Sequence, residues 1–399
     1  MARRLTLDFL KTESGAGLML ALAAAAAVLA ANSPWAARYF AFVSQPFAIR
    51  FGDFAETRTV LSWVKDGLMS IFFLVVGMEI KFEVLRGELA SPRRLALPIL
   101  AALGGMIVPA GVYLACNLGP GGAPGGWPTA TPTDIAFALA ALAVAAPRMP
   151  GGLRVFLLTL AIADDLGAVV LIALLYTFKL HLLAAAGAGV TLLALALLSR
   201  WKRAPFLFYA AGFLVVWGFT LESGINTSLA GVACAFTVPI GARRAGQESV
   251  LTFFMDSLHP YVAFAILPLF AFTAAGFSLR GLSVVQAVSP MPLGVALGLM
   301  IGKPLGVFGF SLLAVVIRAG RRPAGTRWLE LLGAAMLCGV GFTMSLYIGA
   351  LAFGEADPLA LAQVRLAVIA GSLASALAGG GLLAWAQRRR TLRGDDARD

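Results

Sequence analysis

The chain has 399 residues, 60% of them hydrophobic and 13% charged, with a formal net charge of +11 and a mean hydropathy of +0.87. A soluble domain carries about a quarter charged residues, so this surface would be too apolar for water, and the apolar residues run in unbroken blocks where a membrane β-barrel would alternate. The 31 Lys and Arg residues fall in short clusters between those blocks, which is a topology signal and argues against a nucleic-acid partner.

The fold class expected is an all-α polytopic membrane protein in a lipid bilayer, with about 12 spans of the ~20 residues that cross the hydrocarbon core. Arg3 and Arg4 before the Ala-rich run Ala16–Ala31 have the look of a cleavable leader, but the run is long enough for a first span that stays. The predicted spans lie at 14–31, 60–80, 95–117, 127–146, 153–178, 182–199, 205–221, 223–240, 257–278, 290–317, 328–353 and 358–386. Only Glu222-Ser223-Gly224 separates the seventh from the eighth. Between the first two, Phe47-Ala48-Ile49-Arg50-Phe51 alternates ahead of Gly52-Asp53, the pattern of a short β-hairpin.

Basic clusters at Arg93-Arg94, Arg200-Lys202-Arg203, Arg243-Arg244, Arg321-Arg322 and Arg388-Arg389-Arg390 fall on one side of an even number of spans. The positive-inside rule puts that side, with both termini, in the cytoplasm. The loops around Gly119–Gly126 and Glu355–Pro358 carry none. Cys116, Cys234 and Cys338 lie inside apolar blocks and read as buried small residues, with neither a disulfide framework nor a metal site.

Four ionisable residues stand where the bilayer should exclude them. Asp164 and Asp165 sit in LRVFLLTLAIADDLGAVVLIALLYTF. Asp164 lies about 15 Å along a helix from Arg154 at 1.5 Å per residue, near the midplane. Each carboxylate there costs about 2.5–3.5 kcal/mol on insertion scales. Lys303 interrupts the apolar run 293–316 near its middle, too deep to snorkel, and needs a counter-charge. Pro304 beside it removes a backbone donor and bends the helix. Asp134 ends Thr131-Pro132-Thr133-Asp134. An ordinary N-cap explains it equally well, except that the helix after it is about 18 Å long and needs residues before Pro132 to complete a crossing. Gly339-Val340-Gly341, followed by Thr343 and Ser345, interrupts a second span in the other half of the chain.

The strings TPTDIAFALAALA, LAIADDLGAVVLIALLY, GLMIGKPLG and LCGVGFTMS together resemble the NhaA family of bacterial sodium/proton antiporters, itself a recognised case of paired interrupted spans. FFLVVGMEIKFEVLRGELAS, LHPYVAFAILPLFAFTAAG and LAFGEADP match too, so the likeness extends from about residue 10 to residue 386. The resemblance implies a core of inverted repeats, spans 3–5 and 10–12, in which spans 4 and 11 unwind and cross. It divides the chain into 1–90 (spans 1–2 and the outer hairpin, part of an interface domain), 91–180 (first core repeat), 181–221 (linking spans), 222–280 (interface spans), 281–387 (second core repeat) and a cytoplasmic tail, 388–399.

The resemblance further implies that Asp164 and Asp165 bind Na+ or Li+, that Asp134, next to Thr133, compensates the half-helix N-termini brought together at the crossing, and that Lys303 lies close to the crossing, paired to Asp164. Pro132, Gly339, Gly341 and Thr343 would be the broken-helix elements. A pH-response region would be drawn from Glu79, Glu83, Asp256 and His259, with solvated end charges the alternative for the first two. Here the chain departs from the pattern it resembles: Asn226 stands where a histidine is expected, and Met255-Asp256 where a Glu-His pair is. The implied activity is electrogenic exchange of cytoplasmic Na+ or Li+ for external protons across the bacterial inner membrane. It uses no cofactor and is performed by a homodimer joined through the outer hairpin. Two other classes accommodate buried aspartates: a sodium-coupled organic-anion symporter, and an intramembrane aspartyl protease using Asp134 and Asp165.

Overall fold

The apolar blocks fold into helices because each must satisfy its own backbone in hydrocarbon. A computed structural model describes residues 2–51, 54–87, 92–177, 180–201, 204–241, 249–280, 282–354 and 357–392. Helices α1 (Ala2–Asn32) and α2 (Ala36–Val43) lead into an antiparallel hairpin, β1 (Pro46–Phe51) and β2 (Phe54–Thr59). Its register sets Phe47 opposite Arg58 and Ile49 opposite Glu56, as the alternation predicts. The Gly52-Asp53 turn lies outside the described residues, as do Lys202-Arg203, Arg243-Arg244 and Glu355. Helix α3 covers residues 60–86, with a π turn at Val64–Leu68, and α4 is Pro92–Asn117.

A 3-10 helix at Pro124–Ala130 precedes α5 (Ile135–Ala145), followed by α6 (Gly151–Leu175), α7 (Leu182–Leu198), α8 (Phe206–Ser223) and α9 (Ser228–Thr237). Then come α10 (Val250–Ala274), the short α11 (Val284–Ala287), α12 (Pro290–Val316), α13 (Trp328–Leu337), α14 (Phe342–Phe353) and α15 (Pro358–Leu392). Among the described residues seven helices are long and apolar enough to cross a membrane, or up to nine if each of two bent pairs is one span. The other three predicted spans are α3, which carries Lys65, Asp66, Glu79, Lys81 and Glu83, and the shorter α7 and α9. The chain is a multi-pass membrane protein. The thin separation of spans seven and eight is a genuine stop, because Gly224 takes a left-handed conformation (φ 78°) that ends α8.

The chain divides into two compact units. The first comprises Met1–Ser33, Glu88–Ala168 and Ala274–Asp399. Its helices approach closely at small residues, as membrane helices do in the absence of a hydrophobic drive between them. A methyl group added to Gly306 would come 2.1 Å from the Gly104 carbonyl, so α4 and α12 meet backbone to backbone. Helix α1 belongs to this unit, packing Gly17 against Ala140 of α5, whereas the family likeness groups 1–90 together. The second unit comprises Pro34–Gly87 and Val169–Thr273. There the π turn of α3 frees the Asp66 carbonyl, which accepts from Trp217 Nε1 at 2.8 Å, Thr227 Oγ1 at 2.7 Å and Ser70 Oγ at 2.7 Å.

Candidate ion-binding site

Both predicted interruptions are real. The 3-10 helix Pro124–Ala130 meets α5 at 44°, and α13 meets α14 at 44°. The first break is built from Thr131-Pro132-Thr133-Asp134 and the second from Cys338-Gly339-Val340-Gly341. The two breaks bond to each other. Asp134 N–H donates to the Val340 carbonyl at 2.7 Å, and Thr133 Oγ1 donates to the Cys338 carbonyl at 2.9 Å. Methyl groups on Gly339 or Gly341 would come 2.4 Å from the Leu299 carbonyl and 3.0 Å from that of Pro132, respectively. The glycines are there for this close approach.

Asp134 is an N-cap, as the bland reading of its sequence holds, and more than that. Its Oδ1 accepts from Phe137 N–H at 2.9 Å, in the first turn of α5. Its Oδ2 accepts from Thr343 N–H at 3.1 Å and Thr343 Oγ1 at 2.5 Å, in the first turn of α14. One carboxylate thus serves two half-helix N-termini, each of which presents unpaired donors and partial positive charge. It is 3% exposed.

Lys303 is fully buried, at 0% exposure. Its Nζ donates to Asp164 Oδ2 at 2.5 Å and to the Thr131 carbonyl at the end of the 3-10 helix. The ammonium therefore has a full negative charge on one side and the negative pole of a helix end on the other. Its position follows from the packing below it: a methyl group on Gly105 would lie 3.5 Å from Lys303 Cε, so the α4 surface is cut away along the lysine stem. The bend expected at Pro304 takes the form of a π turn at Gly298–Gly302, just before Lys303. Such turns absorb a missing donor without ending the helix.

Asp164 and Asp165 are both buried, at 1% and 2% exposure. Thr133 lies beside the Asp164 carboxylate. Asp164 Oδ1 is buried without a hydrogen bond among the described residues. The structure therefore brings Asp164, Lys303, Thr133, Asp134 and Thr343 into one connected network around the two breaks, with Asp165 on the next residue of α6. An uncommitted carboxylate oxygen among threonine and carbonyl oxygens is the donor set that suits a hard monovalent cation.

The accessory residues lie in the second unit. Glu83 and Asp256 are near enough to Glu79 to act on it electrostatically, and Asp256 acts likewise on His259. The four are one cluster joining α3 and α10. Asn226 is structural, its Oδ1 accepting from Ser228 N–H at 3.0 Å and Ser228 Oγ at 2.7 Å. Lys81, which the sequence did not single out, closes the other end of α9 by donating to the Phe236 and Val238 carbonyls at 2.6 and 2.7 Å. Sequence reasoning also missed the Thr131 carbonyl as a lysine acceptor. Nothing local marks it: the donor that Pro132 lacks concerns the Pro128 carbonyl a turn earlier, which accepts from Thr131 N–H and Oγ1.

A family described as Na+/H+ antiporter 1 matches residues 7–383. The chain is 45% identical over 388 residues to a Syntrophotalea carbinolica protein named Na(+)/H(+) antiporter NhaA 1, covering 97% of this chain and 98% of that one. It is 46% identical over 381 residues to the Rhodospirillum rubrum Na(+)/H(+) antiporter NhaA, covering 93% and 95%. A Campylobacter concisus protein of the same name is 43% identical over 389 residues, covering 97% and 94%.

Proposed function

The chain belongs to the NhaA family of Na+/H+ antiporters, and from that premise we propose that it exchanges cytoplasmic Na+ or Li+ for external protons, with Asp164 and Asp165 as the shared binding groups. The observation that carries this reading is the buried Lys303–Asp164 contact of 2.5 Å beside a second buried carboxylate. Such a cluster is expensive in hydrocarbon and marks an ion pathway.

The chemistry follows from competition. Burial disfavours an ionised carboxylate and a neighbouring ammonium favours it, so the pair is balanced between binding a proton and exposing charge. Na+ takes oxygen ligands from Asp164, Asp165 and Thr133, drawing Asp164 from Lys303. Protons return when Na+ leaves. If the unit holding the site changes its accessible side only when loaded with one or the other, the proton gradient drives Na+ out without ATP. More protons than Na+ per cycle make the exchange electrogenic. Asp134 stays out of this cycle as a fixed charge on two helix ends. Its full engagement also argues against the protease reading, which needs both aspartates to share a water.

In this reading the first unit carries the site and the second supplies the interface, in the bacterial inner membrane with both termini cytoplasmic. The protein acts as a homodimer joined by the hairpin β1–β2. Replacing residues 46–59 by a short Gly-Ser linker should lower the mass of the purified complex to that of one chain. The test of function is collapse of a pH gradient in proteoliposomes. Na+ and Li+ should collapse it, and K+ should not. A gradient untouched by Na+ with correctly inserted protein, or proton movement requiring an organic anion, would overturn the proposal in favour of inactivity or symport.

A further inference from the structure

On the first unit a cleft of about 830 Å³ opens between the start of α4, the start of α6 and the turn that follows α12. Leu97 and Pro98 line one wall, Phe156 and Thr159 another, and Arg318 and Arg321 the third. Among the described residues its lining holds no carboxylate. Neither arginine has an ion-pair partner among the described residues. The neighbouring Arg322 is placed differently, over the Trp328 ring at 5.7 Å.

Arg318 is the single non-glycine residue with positive φ among the described residues, at 60°. It occupies the left-handed position of a Schellman cap: Arg318 N–H donates to the Val315 carbonyl at 3.1 Å and Ala319 N–H to the Ala314 carbonyl at 2.9 Å. Glycine is the default residue there because any Cβ is strained. Strain kept at one residue that faces a cleft points to a use for its side chain. The cleft itself is firmly built. Methyl groups on Gly320 and Gly152 would come 2.9 Å from Leu97 Cβ and 2.6 Å from the Ala324 carbonyl, so the turn is clamped to both α4 and α6.

We propose that this cleft binds a phosphate group through Arg318 and Arg321, and that the group belongs to the headgroup of an anionic lipid. Two guanidinium groups with neither an ion-pair partner nor a carboxylate beside them among the described residues make a phosphate receptor. The cleft lies where one end of each of three membrane helices meets the polar layer, which is where headgroups are; in the proposed orientation this end is cytoplasmic, and basic pockets between helices on the cytoplasmic side take such lipids. Two arginines in its lining repel a cation, so the cleft is a regulatory or anchoring site, separate from the ion path. Thr159 is five residues before Asp164 on α6, about 7.5 Å along the axis, so a bound lipid would steady the helix that carries the site.

The experiment titrates phosphatidylglycerol, phosphatidylcholine or inorganic phosphate into detergent-purified protein and follows the thermal unfolding midpoint. Phosphatidylglycerol should raise it saturably and phosphatidylcholine should not. The half-saturating concentration should rise about fivefold in Arg318→Gly and again in Arg318→Gly/Arg321→Ala. Arg318→Gly is a fair test because glycine suits the left-handed position. Its midpoint without lipid should equal or exceed that of the parent. Arg200→Ala, an exposed arginine of the second unit, should respond to phosphatidylglycerol as the parent does. A rise with inorganic phosphate alone, lost in the same variants, would uphold the phosphate site and assign it a soluble source. Equal phosphatidylglycerol response in the parent and the double variant, loss of response in Arg200→Ala, or no response to either phosphate source would overturn it.

Discussion

The two breaks bend their spans by the same 44°, yet they are made of opposite materials. The first supplies side chains: Thr133 and Asp134 reach across, and Asp134 is itself extended (φ −86°, ψ 104°) before the new helix. The second supplies mainly backbone: the Cys338 and Val340 carbonyls and the Thr343 N–H take those contacts, joined by the Thr343 hydroxyl, and Gly339 and Gly341 let them approach. One break brings charge and the other brings room. A buried crossing needs both, since freed backbone groups in hydrocarbon are tolerated only when something nearby bonds them.

The largest expected effect lies just outside the crossing. Asp165→Asn keeps the volume and removes both charge and titrating proton, so Na+-dependent proton movement should fall to background in proteoliposomes while the protein stays folded. Exchange near the parent rate would remove Asp165 from the site. Lys303→Ala comes next. Losing one partner of a buried pair leaves the other uncompensated, at about 3–5 kcal/mol, read as a lower unfolding midpoint. Asp164→Asn/Lys303→Gln should regain part of that loss. If the double variant is less stable than either single change, the 2.5 Å contact is not an energetic pair.

A smaller effect should come from the break made of backbone. Gly339→Ala puts a methyl group 2.4 Å from the Leu299 carbonyl and 2.5 Å from Ser375 Oγ. The hydroxyl can turn away but the carbonyl cannot, so the crossing should loosen by about 1–3 kcal/mol, the ordinary cost of overpacking. Gly381→Ala, with nothing within 4 Å of its added methyl, should leave the unfolding midpoint within experimental scatter. Equal losses from both would mean that helix propensity, and not the close approach, governs these glycines.

The difference between the breaks also explains what was legible in the sequence. Spans such as 153–178 and 290–317 reappear as Gly151–Leu175 and Pro290–Val316 because long apolar blocks have no alternative in a bilayer. Asp164, Asp165 and Lys303 stood out because charge in such a block is costly. The glycine break was faint, since glycine is common in membrane helices and its role appears only beside its partner. Pairing across long separations was hidden as well. Arg390 looked like one of three topology-setting arginines, but it is 6% exposed and donates to Glu330 Oε1 at 3.2 Å and to the Gly325 carbonyl at 2.8 Å. Nothing local in RRR distinguishes its third member. Spacing could not reveal that Asp134 caps a helix beginning more than two hundred residues later; only the family resemblance pointed to a charge compensating both helix N-termini.

That second cap gives a loss no larger than that of the glycine break. Thr343 meets Asp134 Oδ2 twice, through N–H at 3.1 Å and through Oγ1 at 2.5 Å. Only the hydroxyl is open to substitution. Thr343→Val keeps the branched shape and the N–H but sets a methyl group against a buried carboxylate. The loss should be about 1.5–3 kcal/mol, the range for a hydrogen bond to a charged group, at the lower end because the N–H remains. Thr343→Ser restores the hydroxyl without the methyl and should recover most of the stability. The transport readout separates two roles. If Asp134 is a fixed charge on two helix ends, Thr343→Val lowers the unfolding midpoint and the maximal rate while Na+ half-saturation stays near that of the parent. If half-saturation shifts tenfold and Thr343→Ser fails to restore it, Asp134 and Thr343 touch the ion itself. The side-chain break would then be part of the binding site as well as its frame.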